Sequence, residues 1–210
     1  IGMIVRGDRL EKIVATVRQA DPDILVSTGD LVDGQIDNLM PSARLFEDLR
    51  PKYGKYAVTG NHEFYAGIEQ ALAFHRSAGF RMLRGEALTA AGLIQIAGVD
   101  DPAGERFGLD RNPTEKKLLA GLSRERFTLL LKHKPVPDRE TLGLFDLQLS
   151  GHTHRGQIFP FSLLTGLAFP DQAGDFKLPG NARLYVSRGT GTWGPPVRVL
   201  AAREVTVIDL

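Results

Sequence analysis

Short apolar runs alternate along the chain with stretches whose apolar positions recur at helical spacing, and this alternation predicts an α/β fold. A helix is expected from Asp8 to about Ala20, opened by a capping box between Asp8 and Glu11 and stopped by Asp21-Pro22. Residues 23–28 read as a short buried strand ending at Gly29-Asp30. Further helices are expected over 42–49, 67–78 and 114–122, and further strands over 55–59, 93–98, 127–131 and 147–150. A polar loop spans 100–113. The tail reads as strands near 184–187 and 205–210, with a Gly/Pro-rich loop between them. No repeat or low-complexity segment interrupts the chain, so residues 1–210 are expected to form a single domain.

The polar residues that end these strands carry the chemistry. Four separate apolar strands run into Asp30, Asn61, His133 and His152. In open α/β sheets, the carboxyl ends of strands are where ligands bind, so residues far apart in sequence meet at one edge. Each segment also has a plainer reading. Gly29-Asp30 fits a turn, Gly60-Asn61-His62-Glu63 fits a helix cap, and His133 fits an ordinary strand end. Gly151-His152-Thr153-His154 differs, because two histidines two apart in an extended segment point to the same side. The chain has only 5 histidines, and four of them fall in these segments. The fifth, His75, lies on an amphipathic helix and reads as structural or exposed.

Composition narrows the metal more than it narrows the partner. With 42% apolar and 24% charged residues, the chain is ordinary for a globular protein. The absence of cysteine excludes disulfides and thiolate ligands, leaving His, Asp, Glu, Asn and backbone oxygens for Mn, Fe, Mg or Zn. A net charge of +1, with no basic stripe interleaved with aromatics, argues against long nucleic acid. No apolar run is long enough to span a membrane, and no signal peptide is read. Localisation is left open, with membrane association as one reading.

Taken together and in order, Gly29-Asp30-Leu31-Val32-Asp33, Gly60-Asn61-His62-Glu63, His133-Lys134-Pro135 and Gly151-His152-Thr153-His154 resemble the signature motifs of the calcineurin-like metallophosphoesterases. The resemblance implies a four-layer α/β/β/α sandwich with the site at the sheet edge. It implies two divalent cations, with Asp30 bridging both. Asn61, His133 and His152 would complete one shell, and His154 would bind the other cation. His62 would be no ligand but the catalytic histidine, while Asp33 and Glu63 would be supporting residues. Two cations about 3.5–4 Å apart can hold a bridging hydroxide at neutral pH and clamp the phosphoryl oxygens for in-line attack. A nearby imidazole can donate a proton around pH 7.

One departure stands out. The family's first motif, Asp-x-His, is absent, and the chain opens at Ile1-Gly2, where the turn after that motif would fall. The expectation is truncation at the N-terminus, with the second cation resting on Asp30 and His154 alone.

The segment after the histidine pair suggests the substrate. Arg155-Gly156-Gln157-Ile158-Phe159-Pro160-Phe161 is followed by Leu163, Leu164, Leu167 and Phe169. These residues either pack under a loop or form an exposed patch that meets a membrane or an acyl chain. Residues 187–196, with Trp193, resemble a bacterial, membrane-linked branch of the family whose enzymes act on phospholipids or UDP-diacylglucosamine. Arg155 is the candidate for substrate phosphate, with Arg188 closer to a surface ion pair. The reading is a metal-dependent phosphodiesterase or pyrophosphatase acting on a lipid-linked substrate. The rivals are a nucleotide phosphodiesterase or nuclease, and a catalytically incomplete fragment or binding module.

Overall fold

In the computed structural model, residues 7–34, 39–109 and 113–210 are described. Helix α1 (Asp8–Ala20) forms where Leu10, Val14 and Val17 share one face, and these three are buried. Asp21 caps its end in the left-handed conformation, donating its backbone N–H to the Arg18 carbonyl. Asp8 is not the N-cap. Gly7 holds that position at φ 51° with no side-chain cap bond, so Asp8 and Glu11 complement the helix dipole within the first turn and form no capping box.

Among the described residues, nine strands form two sheets. Strands β1 (Leu25–Ser27), β2 (Lys55–Ala57) and β3 (Arg81–Met82) make a small parallel sheet in that order. The larger sheet has the order β4-β5-β6-β7-β9-β8, from Glu86–Ala90, Ile94–Gly98, Thr128–Leu131, Leu147–Ser150, Arg183–Val186 and Gly174–Lys177. Its central strands β5, β6, β7 and β9 are parallel, while β4 and β8 close the edges antiparallel.

Among the described residues, three apolar cores define four layers. The first joins α1, α2 (Met40–Glu47) and α4 (Ile68–Ser77) to the small sheet through Phe46, Ala57 and Phe74. The second lies between the sheets and includes Val58, Ile96, Leu129, Leu131 and Leu149. The third packs α5 (Glu115–Ala120) on the outer face of the large sheet through Ala97, Leu119 and Leu130. Leu129 and Leu131 face one core and Leu130 the other, as side-chain alternation along a strand requires. The expected sandwich order, helix on sheet on sheet on helix, is therefore present.

Some elements escape the pattern. The two-residue β3, the hairpin strand β4, the edge strand β8 and helix α6 (Phe161–Ala168) have too few alternating positions or too many apolar ones. The expected strand at 205–210 is absent, because residues 201–210 form no regular element. Val205 to Leu210 line, together with β1, a cleft of about 670 Å³, and a ladder forms only when strands approach to about 4.8 Å. Among the described residues, β1 pairs on one edge alone and is half-buried, whereas β2 beside it is buried. The expected turn at Ile1-Gly2 lies outside the described residues. The 100–113 loop contains a 3-10 helix, Pro102–Phe107.

Candidate metal centre

Every expected ligand follows the carboxyl end of a parallel strand. Asp30 follows β1, and Asn61 follows β2 as the first residue of α3 (Asn61–Tyr65). His133 follows β6, and His152 and His154 follow β7. The site therefore straddles both sheets. Asp30, His133 and His152 each present a ligand atom, and these atoms lie within 4.8 Å of one another. His133 Nε2 is 3.0 Å from Asp30 Oδ2 and 3.1 Å from His152 Nδ1.

The backbone is arranged to bring them in. Asp30, His152 and His154 hold φ values of 54°, 69° and 48°, a conformation that costs a non-glycine residue roughly 1 kcal/mol or more. Gly60 permits the closest approach: a Cβ there would fall on the Asp30 carboxylate. Glu63 ties the two loops together. Its fully buried carboxylate accepts backbone N–H bonds from Asp30 (2.9 Å), Leu31 (2.8 Å), Val32 (3.2 Å) and Gly60 (2.6 Å). His75, also fully buried, places Nε2 3.9 Å from the same carboxylate and donates Nδ1–H to the Ala71 carbonyl.

Electrostatics prepare three of the groups. Burial disfavours the Asp30 charge, but the adjacent His133, and then His62, outweigh it and hold the carboxyl well below the usual carboxylate range. Burial likewise opposes charge on His133, yet Asp30 pushes its imidazole up to about 9. His133 Nδ1 donates to the Thr28 carbonyl at 2.7 Å, which leaves Nε2 as the nitrogen facing Asp30 and His152. Burial, and then His133, push His152 down to about 4, so it is a neutral donor at pH 7.

Asn61 supplies the test of fit. Its Oδ1 is buried and has no hydrogen-bond partner among the described residues, an arrangement that costs about 1–3 kcal/mol unless something else binds that oxygen. A neutral imidazole, a second imidazole with a fixed tautomer, a carboxylate and an orphaned amide oxygen together fit a first-row divalent cation. His154 stands apart from this group. Its Nδ1 accepts from the Arg198 guanidinium at 2.8 Å, and burial, then Arg198, push it down to about 4. Arg198 also donates to the Gly191, Arg188 and Ala201 carbonyls, so it organises the 188–201 loop around His154.

His62 binds the Asp30 loop twice. Its backbone N–H donates to Asp30 Oδ1 at 2.9 Å, and its Nδ1 lies 2.7 Å from Asp33 Oδ1. The Asp33 hydrogen bond raises the His62 pKa against the opposing effect of burial. His62, Asp33 and Asp30 line the cleft with His133, His152 and His154. Arg155 is exposed and lies outside the cleft lining, whereas Arg188 lines it and is paired with Glu204 at 2.6 Å through Nε. Sequence reasoning missed Arg198. Its only signal was a basic residue in a Gly/Pro-rich loop without an acid beside it.

Known proteins resemble this chain in sequence and fold. Residues 6–156 match the family of calcineurin-like phosphoesterases. An uncharacterised metallophosphoesterase of Aquifex aeolicus is 42% identical over all of this chain and 81% of its own length. One from Helicobacter pylori strain J99 is 37% identical over 57% of its own length. The transmembrane protein with metallophosphoesterase domain of Danio rerio is 32% identical, and the chain spans 51% of it. Among solved structures, the NAD nucleotidase of Haemophilus influenzae superposes with TM-score 0.53 at 18% identity, over 86% of this chain and 38% of that one.

Proposed function

The chain belongs to the calcineurin-like phosphoesterase family and is a phosphoester hydrolase, and from that premise we propose a phosphodiesterase or pyrophosphatase that uses two divalent cations on a lipid-linked substrate. The observation that carries the metal reading is the clustering of Asp30, His133 and His152 ligand atoms within 4.8 Å, together with the buried Asn61 Oδ1, which has no hydrogen-bond partner among the described residues. These four residues would hold one cation, drawn from Mn, Fe, Zn or Mg. Asp30 and His154 would contribute to the second, once Arg198 releases the His154 Nδ1 lone pair. Bound cations supply charge neutralisation at the phosphoryl oxygens and activation of water.

The chain's own residues do the rest. Asp33 accepts from His62 Nδ1–H and so aims the other ring nitrogen at the cleft, where it can protonate the departing alkoxide or phosphate oxygen. Glu63 fixes the loop that presents Asp30. The lipid-linked reading draws on the apolar helix that begins seven residues after His154.

Replacing Asn61 by Leu tests the metal reading. The substitution removes an orphaned polar atom, so metal-free stability should hold or rise by about 1 kcal/mol, while Mn²⁺-induced thermal stabilisation and turnover of a soluble aryl phosphodiester should both be lost. Undiminished metal stabilisation would remove Asn61 from the ligand set. Metal binding without turnover on monoesters, diesters and pyrophosphates would favour a binding module.

A further inference from the structure

Helix α6 is apolar nearly all round, and none of its residues is buried. Phe161, Leu163, Leu164 and Leu167 are 59%, 64%, 64% and 83% exposed. In a water-soluble surface helix, one apolar face normally packs inward. Among the described residues, the element that packs substantially on α6 is the 3-10 turn His154–Gly156. A second exposed apolar segment lies alongside. Gln157 donates its side-chain amide to the Trp193 and Pro195 carbonyls and accepts from the Trp193 N–H, and Val199 donates to the Gln157 carbonyl. Ile158 and Val199 form a parallel bridge. Trp193 and Leu200, 55% and 77% exposed, thereby join the patch.

This patch is continuous with the candidate metal centre. His154 opens the turn that leads into α6, and Phe169, which follows the helix, rests its ring against that of His152 at 5.2 Å. Its charge is one-sided. Residues 155–170 and 187–203 contain Arg155, Arg188, Arg198 and Arg203 and no acid, in a chain whose net charge is +1. Glu204, just beyond, is paired with Arg188, and Arg198 is held by loop carbonyls, while Arg155 and Arg203 are exposed. Asp171 borders the other segment. Large apolar side chains, one Trp and flanking arginines form the composition that lies in the headgroup region of an anionic bilayer. No helix among the described residues is long and apolar enough to cross a membrane.

We infer that α6 and the 193–200 loop form a docking face for an anionic phospholipid surface, holding the metal centre at headgroup depth. This inference rests on the phosphoesterase reading for its purpose but not for its test. The face enters the interface without spanning it. It sets the level at which a membrane-resident phosphoester meets His152 and His154.

Trp193 is the chain's only tryptophan, so its fluorescence reports the patch directly. The purified chain would be mixed with vesicles of phosphatidylglycerol and phosphatidylcholine in equal parts. Expected results are co-sedimentation, a blue shift of emission and quenching by brominated acyl chains. Substituting Leu163, Leu164 and Leu167 together by Ser should weaken vesicle partition by about tenfold or more. Hydrolysis of a soluble aryl phosphodiester should stay unchanged in that variant. Pure phosphatidylcholine should bind less than the anionic mixture. No binding by the wild type, no loss in the triple variant, or equal binding to neutral vesicles would each overturn the proposal. So would a concentration-dependent dimer that the triple variant abolishes, since a second copy would then own the face. Loss of soluble diester activity in the wild type would instead count against the phosphoesterase reading and leave the vesicle result standing.

Discussion

His62 Nδ1 lies 2.7 Å from Asp33 Oδ1, and the same histidine holds Asp30 Oδ1 through its backbone N–H at 2.9 Å. One residue thus reads two carboxylates of a single loop, one with its ring and one with its main chain. The Asp33 bond raises the His62 pKa, so more of the imidazole is protonated near neutrality. Asp33→Asn should move the alkaline limb of the kcat/KM profile to lower pH, because the neutral amide no longer favours the imidazolium. His62→Ala should lower kcat by about a hundredfold or more with metal content unchanged. A pH–rate profile and elemental analysis of the same preparations check both statements.

Removing Glu63 should cost more than removing any residue that touches the cleft. Its carboxylate accepts four backbone N–H groups and is fully buried. Glu63→Ala would leave those donors partnerless, and a loss of about 3 kcal/mol or more is expected from the denaturation midpoint. Glu63→Gln retains one acceptor oxygen and should fall between. Both variants should also bind Mn²⁺ more weakly, since the Asp30 loop loses its anchor. If either variant unfolds at the wild-type midpoint, the clamp contributes nothing.

Metal uptake should depend on pH through His133. Burial works against its charge, but the Asp30 carboxylate pushes the imidazole up to about 9 in the metal-free protein. A cation that takes Nε2 must displace that proton. Below about pH 9, affinity should therefore tighten by about tenfold per unit of pH as pH rises, and then level off. His152 and His154, pushed down to about 4, are already neutral across this range and add no slope. Calorimetric titration in buffers of different ionisation enthalpy counts the released proton. A pH-independent affinity between 6 and 8 would show that His133 is neutral before the metal arrives.

Much of the site was legible because each ligand sits where a strand pattern stops. The runs before Asp30, Asn61, His133 and His152 are short, apolar and punctuated by Gly or Lys, so their ends were visible without any tertiary information. The α/β class followed from the same alternation, while the four-layer sandwich was implied by the resemblance to the phosphoesterase family; Leu129, Leu130 and Leu131 address opposite cores within it. What stayed hidden depended on partners distant in sequence. Glu63 reads as one more member of the Asn61-His62-Glu63 run until its four backbone donors are seen. Arg198 acquires meaning only from His154. The strand expected at 205–210 forms no regular element among the described residues, because a strand needs a ladder partner that its own sequence does not specify. Helix α6 has too many apolar residues for a helical period to show, which is also why its exposure was undecided by sequence.

The division of the ligands between the two sheets has a mechanical side. Asp30 and Asn61 hang from the small sheet, His133 and His152 from the large one, and the apolar layer between them is non-directional. Apolar packing resists separation of the layers far better than it resists their sliding. A cation shared by those four residues would cross-link the layers at one rim and fix their shear. Alignment of the two halves would then be set at the place where the chemistry needs it, and relaxed everywhere else.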